Sequence, residues 1–312
     1  MNPVKSCVSL LVGLLLAGLA SPLIAQSKNG FDLSNATIPV REIHSGGPPR
    51  DGIPAIDEPQ FWSISRADTF LRPDDEVVSF VHQGDARAYP LRILVWHEIV
   101  NDTVGREPVA ITYCPLCGTS MIFGRSFGGE ATTLGVSGLL YNSDVLMYDR
   151  ATDSLWSQLK MVAVSGPRAG TTLDWLASQI MPWQQWKARY PDGKVLSTET
   201  GHSRNYSRMP YQGYENTPRT MFPVSGNRDD FSPKTWVAGV IVNSQAHAFE
   251  LAQLGERGGW EGRIGGREVS VSHKDEAVEV TDVANGETIP HVLAYWFAWQ
   301  AFYPETAVWP KG

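Results

Sequence analysis

Cysteine is scarce in this chain, with three in 312 residues. One of them, Cys7, falls in an apolar N-terminal stretch, so only Cys114 and Cys117 remain as a base for thiol or metal chemistry. Long apolar runs are missing beyond that stretch, and nothing later in the sequence reads as a bilayer-crossing helix, which needs about 20 apolar residues. Positive charge is in deficit, 26 Lys plus Arg against 33 Asp plus Glu, which argues against nucleic acid or an anionic membrane as partner. There is no Ser-His-Asp elbow, no Walker loop and no His-Glu-x-x-His helix. The glycine turns also lack a dinucleotide fingerprint in strand-to-helix context.

What the N-terminus does contain is a leader pattern. Lys5 precedes an apolar run from Val8 to Ala20, and Leu23-Ile24-Ala25 ends on a small residue, as at a signal-peptide cleavage site. Gln26 is then the mature N-terminus and the protein is expected in the periplasm or outside the cell. Retention of the segment as an N-terminal anchor is the alternative. Cleavage removes Cys7 and Lys5 and no acid, so the mature chain is more negative than the formal −7 of the full one.

The rest divides by composition. Residues 26–60 are rich in Pro and Gly, including Ser45-Gly46-Gly47-Pro48-Pro49-Arg50-Asp51-Gly52-Ile53-Pro54, and read as an extended arm wrapping over the next domain. Residues 61–200 are strand-rich, with a hairpin pattern from Val77 to Pro90 and a strand, Pro108–Tyr113, that feeds into the cysteines. Trp183 to Tyr190 reads as helix behind Pro182. Residues 201–235 connect to a shorter second half, 236–312. Val77–Leu94 matches Val237–Leu254 at an offset of 160, and Trp186–Val195 matches Trp299–Val308 at an offset of 113. Both matches run in the same order, as expected of a degenerate internal duplication whose second copy lacks cysteine. The fold class expected is α+β, β-rich, in two related halves behind an extended arm. The 11 Trp and 10 Tyr read first as core packing.

Tyr113-Cys114-Pro115-Leu116-Cys117-Gly118-Thr119 is the stretch most informative about chemistry. A thioredoxin-like nucleophile needs a helix after the first cysteine. Here Gly118-Thr119-Ser120-Met121-Ile122-Phe123-Gly124 is strand-like. Cys-Pro-x-Cys-Gly fits the turn of a zinc or rubredoxin knuckle better, with Gly118 accepting a left-handed backbone. Two thiolates leave a tetrahedral ion short of donors, so His97 is the expected third ligand and His202 a further candidate. Soft thiolates with imidazole suit zinc or copper. Glu98, beside His97, is the available proton acceptor if the site is catalytic. The same two sulfurs also permit a metal-free thiol-disulfide redox protein. Tyr141, Asn142, Asp149, Arg150, Trp156 and Gln158 concentrate polar and aromatic side chains and could line a pocket for a small molecule, or serve as turn and cap residues. A non-enzymatic binding module built on that pocket is the third reading.

The run from Ser45 to Tyr214 resembles a secreted prokaryotic family called domain of unknown function 3179. The resemblance rests on Gly46 to Pro54, His97-Glu98-Ile99-Val100-Asn101-Asp102, Thr112 to Thr119, Ser137-Gly138, and Tyr148-Asp149-Arg150 through Trp156-Ser157-Gln158. It implies export and a single folded unit, and brings no reaction with it.

Overall fold

A computed structural model describes residues 26–226 and 228–310. The expected leader, residues 1–25 with Cys7, lies outside them. Strand makes up 42 % of the structure and helix 11 %, so sheets build the architecture and short helices only link them. Five sheets stand as blades in a propeller-like ring. No helix among the described residues is long and apolar enough to cross a membrane.

The cysteine blade holds Ile99–Val104, Glu107–Cys114, Thr119–Gly124 and Asp174–Leu176. The arm blade holds Leu134–Tyr141, Asp144–Asp149, Leu155–Ser157 and Val162–Ser165, with Ile43–Ser45 of the arm as its edge strand. Residues 26–60 therefore do more than wrap the surface. Phe31, Leu33, Ile38 and Ile43 are buried against Leu139, Leu146, Tyr148 and Leu155, and Ile56 bridges Val100 of the cysteine blade. Arg50 stacks on the rings of Phe31 and Tyr148 and pairs with Asp153 at 2.6 Å, while Asp51 accepts from the Tyr148 hydroxyl at 2.5 Å.

Two further blades share one plan. In the first, Glu76–His82 and Asp85–Pro90 form a hairpin, flanked by Gln179–Pro182 antiparallel to one strand and Lys194–Leu196 parallel to the other. In the second, Trp236–Val242 and Gln245–Glu250 are flanked in the same way by His291–Tyr295 and Ala307–Trp309. Registers coincide as well. Ile180 faces Val78 as Leu293 faces Ala238, and Val195 faces Ala88 as Val308 faces Ala248. These pairings carry the same offsets of 160 and 113 that relate the two segments in sequence. Trp183–Arg189 and Trp296–Phe302 are the matching helices, ending on Tyr190 and Tyr303 with nearly equal dihedrals. The fifth blade, Trp260–Ile264, Arg267–Lys274 and Ala277–Asp282, lies in the chain between the hairpin and the flanking strands of the second of these blades, as the cysteine and arm blades lie between those of the first.

The indoles hold these two blades together by mirrored means. Trp186 Nε1 donates to Ser79 Oγ at 3.0 Å, and its ring lies where a Cβ on Gly193 would stand, 2.3 Å from Cη2. Trp299 Nε1 donates instead to Thr306 Oγ1 at 3.0 Å, and its ring lies where a Cβ on Gly239 would stand, 2.2 Å from Cζ3. Ser79 and Gly239 are corresponding positions, as are Gly193 and Thr306. Trp156, Trp183, Trp186, Trp296 and Trp299 are all fully buried, so much of the tryptophan is core.

Two predictions concern stability. Gly239→Ala should lose about 1–3 kcal/mol in urea unfolding, as forced overpacking does, because the indole and the strand backbone both resist displacement. His291 is buried on its strand, and burial pushes its imidazole down to about 4. The unfolded chain, titrating near 6.5, then binds the proton more tightly than the folded one. Stability should be full above pH 6.5 and fall as pH drops toward 4, by about 3 kcal/mol from this group. A melting-temperature series against pH should be flatter for His291→Asn.

Candidate metal centre

Strand pairing delivers the cysteines. Glu107–Cys114 and Thr119–Gly124 pair with Cys114 opposite Thr119, leaving Pro115-Leu116-Cys117-Gly118 as the turn. The Cys117 amide donates to the Cys114 carbonyl at 3.2 Å, and Gly118 takes the left-handed φ of +69° expected of the knuckle. Glycine is required there twice over, since a Cβ would also meet Trp236 Cη2 at 2.3 Å. The Tyr295 amide donates to the Cys117 carbonyl at 2.9 Å and so ties the turn to the neighbouring blade. No helix follows Cys114, in agreement with the strand reading of the sequence.

The arm blade supplies the third group. Asn142 and Ser143, with φ of +52° and +66°, make a two-residue hairpin turn that pairs Tyr141 with Asp144. The thiols of Cys114 and Cys117 both donate toward the Ser143 carbonyl, at 3.8 and 3.4 Å. Donor atoms of Cys114, Cys117 and Asp144 lie within 4.8 Å of one another, and all three residues are buried. Asp144 Oδ2 accepts from the Leu159 amide at 3.0 Å, whereas Oδ1 has no partner among the described residues.

Electrostatics follow from this burial. Desolvation pushes both thiols up, Cys117 the more strongly. It lifts Asp144 to about 7, and lifts Glu98 to about 8 with help from the Asp144 charge. The cation that acts on Cys117 is Lys234, which burial depresses to about 8 and which packs on the rings of Tyr214, Tyr295 and Phe297. A buried cluster of acids with so little opposing charge keeps its protons unless a cation replaces them.

The other sequence candidates take different places. His97 lies outside the Cys114, Cys117 and Asp144 group. Its Nδ1 donates to the Pro54 carbonyl at 2.8 Å, and that fixes Nε2 as the acceptor from the Tyr206 hydroxyl at 2.7 Å. Burial lowers this imidazole to about 4, so it is neutral, and both nitrogens are occupied. It clamps the arm to the segment after residue 200. His202 packs against His97, ring centroids 5.6 Å apart, and is exposed. Glu98 does reach the cysteine region, with a left-handed φ of +58°, an uncommon conformation for a side chain of this kind.

Tyr141, Asn142, Asp149, Arg150, Trp156 and Gln158 are not brought together as one pocket wall. Tyr141 packs edge-on to Phe302, and Asn142 Oδ1 accepts from the Ser225 amide at 2.8 Å. Asp149 accepts from Trp156 Nε1 at 2.9 Å and caps the following turn through Thr152. Arg150 pairs with Asp57 at 2.8 Å rather than with its neighbour Asp149. Gln158 bridges Thr112 and Thr119, at 2.7 and 2.6 Å, and braces the base of the cysteine hairpin.

Sequence reasoning did not pick out Asp144 as a ligand, nor Lys234 and Tyr211. Asp144 is 27 positions from Cys117 and has no ligand spacing. The available signal was the Asn-Ser pair between two β-rich runs, which marks a tight hairpin and fixes what begins the return strand.

Together these features define a β-propeller-like protein with a buried dithiol–carboxylate centre at the junction of its blades. The chain belongs to the family described as Protein of unknown function (DUF3179), whose model matches residues 50–288. No curated protein and no solved structure matches it.

The clamp assigned to His97 is open to test. His97→Ala should lose about 1–3 kcal/mol, the usual cost of stranded buried partners, and should speed amide exchange around residues 52–57 and 204–208. An unchanged exchange pattern in both segments would remove that role.

Proposed function

We propose that this is an exported protein that binds a soft transition metal, zinc or copper, through Cys114, Cys117 and Asp144. The observation that carries the reading is the convergence of two thiols and a carboxylate within 4.8 Å, all buried, with Asp144 Oδ1 unpartnered. A buried polar atom left without a partner is costly, and a metal bond would satisfy it. Asp144 takes the place that sequence reasoning gave to histidine. Charge balance favours zinc. Two thiolates and a carboxylate carry three negative charges, which a divalent ion and Lys234 neutralise and a monovalent copper ion leaves partly uncompensated. Three protein donors leave one position of a tetrahedron for a further ligand, the arrangement of catalytic rather than closed structural sites.

The thiol-disulfide alternative draws no support from these surroundings, since exchange needs an accessible thiol of lowered pKa. The leader pattern supports placement in the periplasm or outside the cell. We further infer that the two tryptophan blades are copies of one ancestral unit, because sequence offsets and strand registers agree. The metal centre then belongs to what was inserted into the first copy.

The test is elemental analysis of protein exported in its native compartment and purified without chelator or affinity metal, with thiols counted on the same sample. The expected result is roughly one equivalent of zinc or copper. It should be lost from the Cys114→Ser, Cys117→Ser double variant, reduced in Asp144→Asn and kept in His97→Gln. Full metal content in the double-serine protein, or metal-free wild type with both thiols titratable, would sink the reading.

A further inference from the structure

Beside the centre lies a cavity of about 180 Å³. Its walls are mostly apolar, formed by Leu116 of the cysteine turn, Val136, Leu140 and Val145 of the arm blade, Ile53 of the arm and Phe222 of the connecting segment. Two polar side chains also line it, Glu98 and Tyr211. Glu98 is only 7 % exposed, and no hydrogen bond from another described residue reaches its carboxyl. The backbone holds it there at a φ of +58°. A carboxyl that accepts no hydrogen bond from the described residues, in an apolar recess and on a backbone conformation that costs about 1–3 kcal/mol, adds no hydrogen bond to the fold. It is the arrangement of a ligand site, apolar walls with one placed polar group.

We propose that this cavity binds a small hydroxylated apolar molecule, of the size of a single six-membered ring, whose hydroxyl is held by Glu98. Size follows from the volume, since an apolar cavity of about 150 Å³ accommodates benzene. A hydroxyl is chosen because it can both donate and accept, and so pairs with the carboxyl in either protonation state. Entry is from the connecting segment. Met221, 55 % exposed, stands on the rim, and Tyr211 lines both this cavity and an outer crevice of about 530 Å³. Glu98 also lies close enough for its charge to act on Cys114, so a molecule bound there sits next to the proposed ion. The inference itself rests on the cavity and stands without the metal.

Calorimetric titration of the exported protein with phenol and with toluene tests it. Saturable phenol binding at one site is expected. Glu98→Met should weaken phenol by about tenfold or more, the effect of losing one buried hydrogen bond to a carboxyl, and leave toluene within about twofold. Glu98→Gln, which keeps a donor and an acceptor, should restore most of the phenol affinity. Met221→Trp, a change at an exposed position that leaves the fold intact, should weaken both probes by blocking the rim. Chelator treatment should leave phenol binding unchanged. The proposal is overturned by a phenol dissociation constant above about 10 mM, weaker than the millimolar affinity such a pocket allows. It is equally overturned by phenol binding indifferent to Glu98→Met or to Met221→Trp, or by binding that disappears with the metal.

Discussion

Four ionisable side chains held away from water are the constraint around which this molecule is arranged. Cys114, Cys117, Asp144 and Glu98 are drawn into the largest apolar cluster, where the cysteine blade, the arm blade and the second tryptophan blade meet. Removing ionisable groups from water costs several kcal/mol each unless they are paired. Such a cluster persists only where the backbone around it has no freedom to let it open. Each supporting contact has that character. The knuckle is fixed by its own strand pairing and by Tyr295, Asp144 by a two-residue turn, and the base of the hairpin by Gln158 spanning two threonines.

Residues that carry the family resemblance mostly serve this enclosure rather than the chemistry. Asn101 joins Asp57 of the arm to the Leu134 carbonyl and amide, Arg150 reaches back to Asp57, and His97 holds Pro54. The arm is thus pinned along its length to both blades that build the centre. Gly138 meets it as closely, for a Cβ there would stand 2.2 Å from the Pro48 carbonyl. A rigid frame with its functional groups in turns and connecting segments is the usual division of labour in folded domains, and here the arm belongs to the frame.

Much of this was legible in the sequence, and the failures are instructive. The strand character after Cys117 and the left-handed glycine could both be read locally, because turn chemistry depends on a few adjacent residues. The matching tryptophan segments could be read because two matches in the same order stand out even where most other positions differ. His97 misled because nearness in sequence is not nearness across a hairpin. The Tyr113 amide meets the Glu98 carbonyl, and His97 and Glu98 both lie in the turn just before the strand from Ile99, where the left-handed backbone of Glu98 parts the two side chains, His97 against Pro54 and Tyr206 and Glu98 beside Leu116. Glu98 therefore arrives at the cysteines and His97 does not. Asp144 was hidden for the opposite reason, since only the assembly of two blades brings it to the sulfurs. The polar and aromatic run from Tyr141 to Gln158 looked like one pocket because it is one stretch of chain. Its members instead take separate partners, Phe302, Ser225, Asp57 and the threonines of the cysteine hairpin among them.

The two indoles that lock the paired blades have a bearing on how such a protein can change over time. Each ring asks for a hydroxyl on one side and a missing Cβ on the other, and the two blades meet that demand with the sides exchanged. Position and partner form a single heritable unit. A glycine that gains a side chain before the opposite position has given one up crowds the ring, and one that gains it afterwards leaves the indole without its hydrogen bond in between. On the proposed common origin of the two blades, their divergence passed through an intermediate with both small residues present or with both side chains crowding the ring. The first of these leaves a looser blade and the second a strained one. On that proposal, the present state of each blade is a record of which route its surroundings could tolerate.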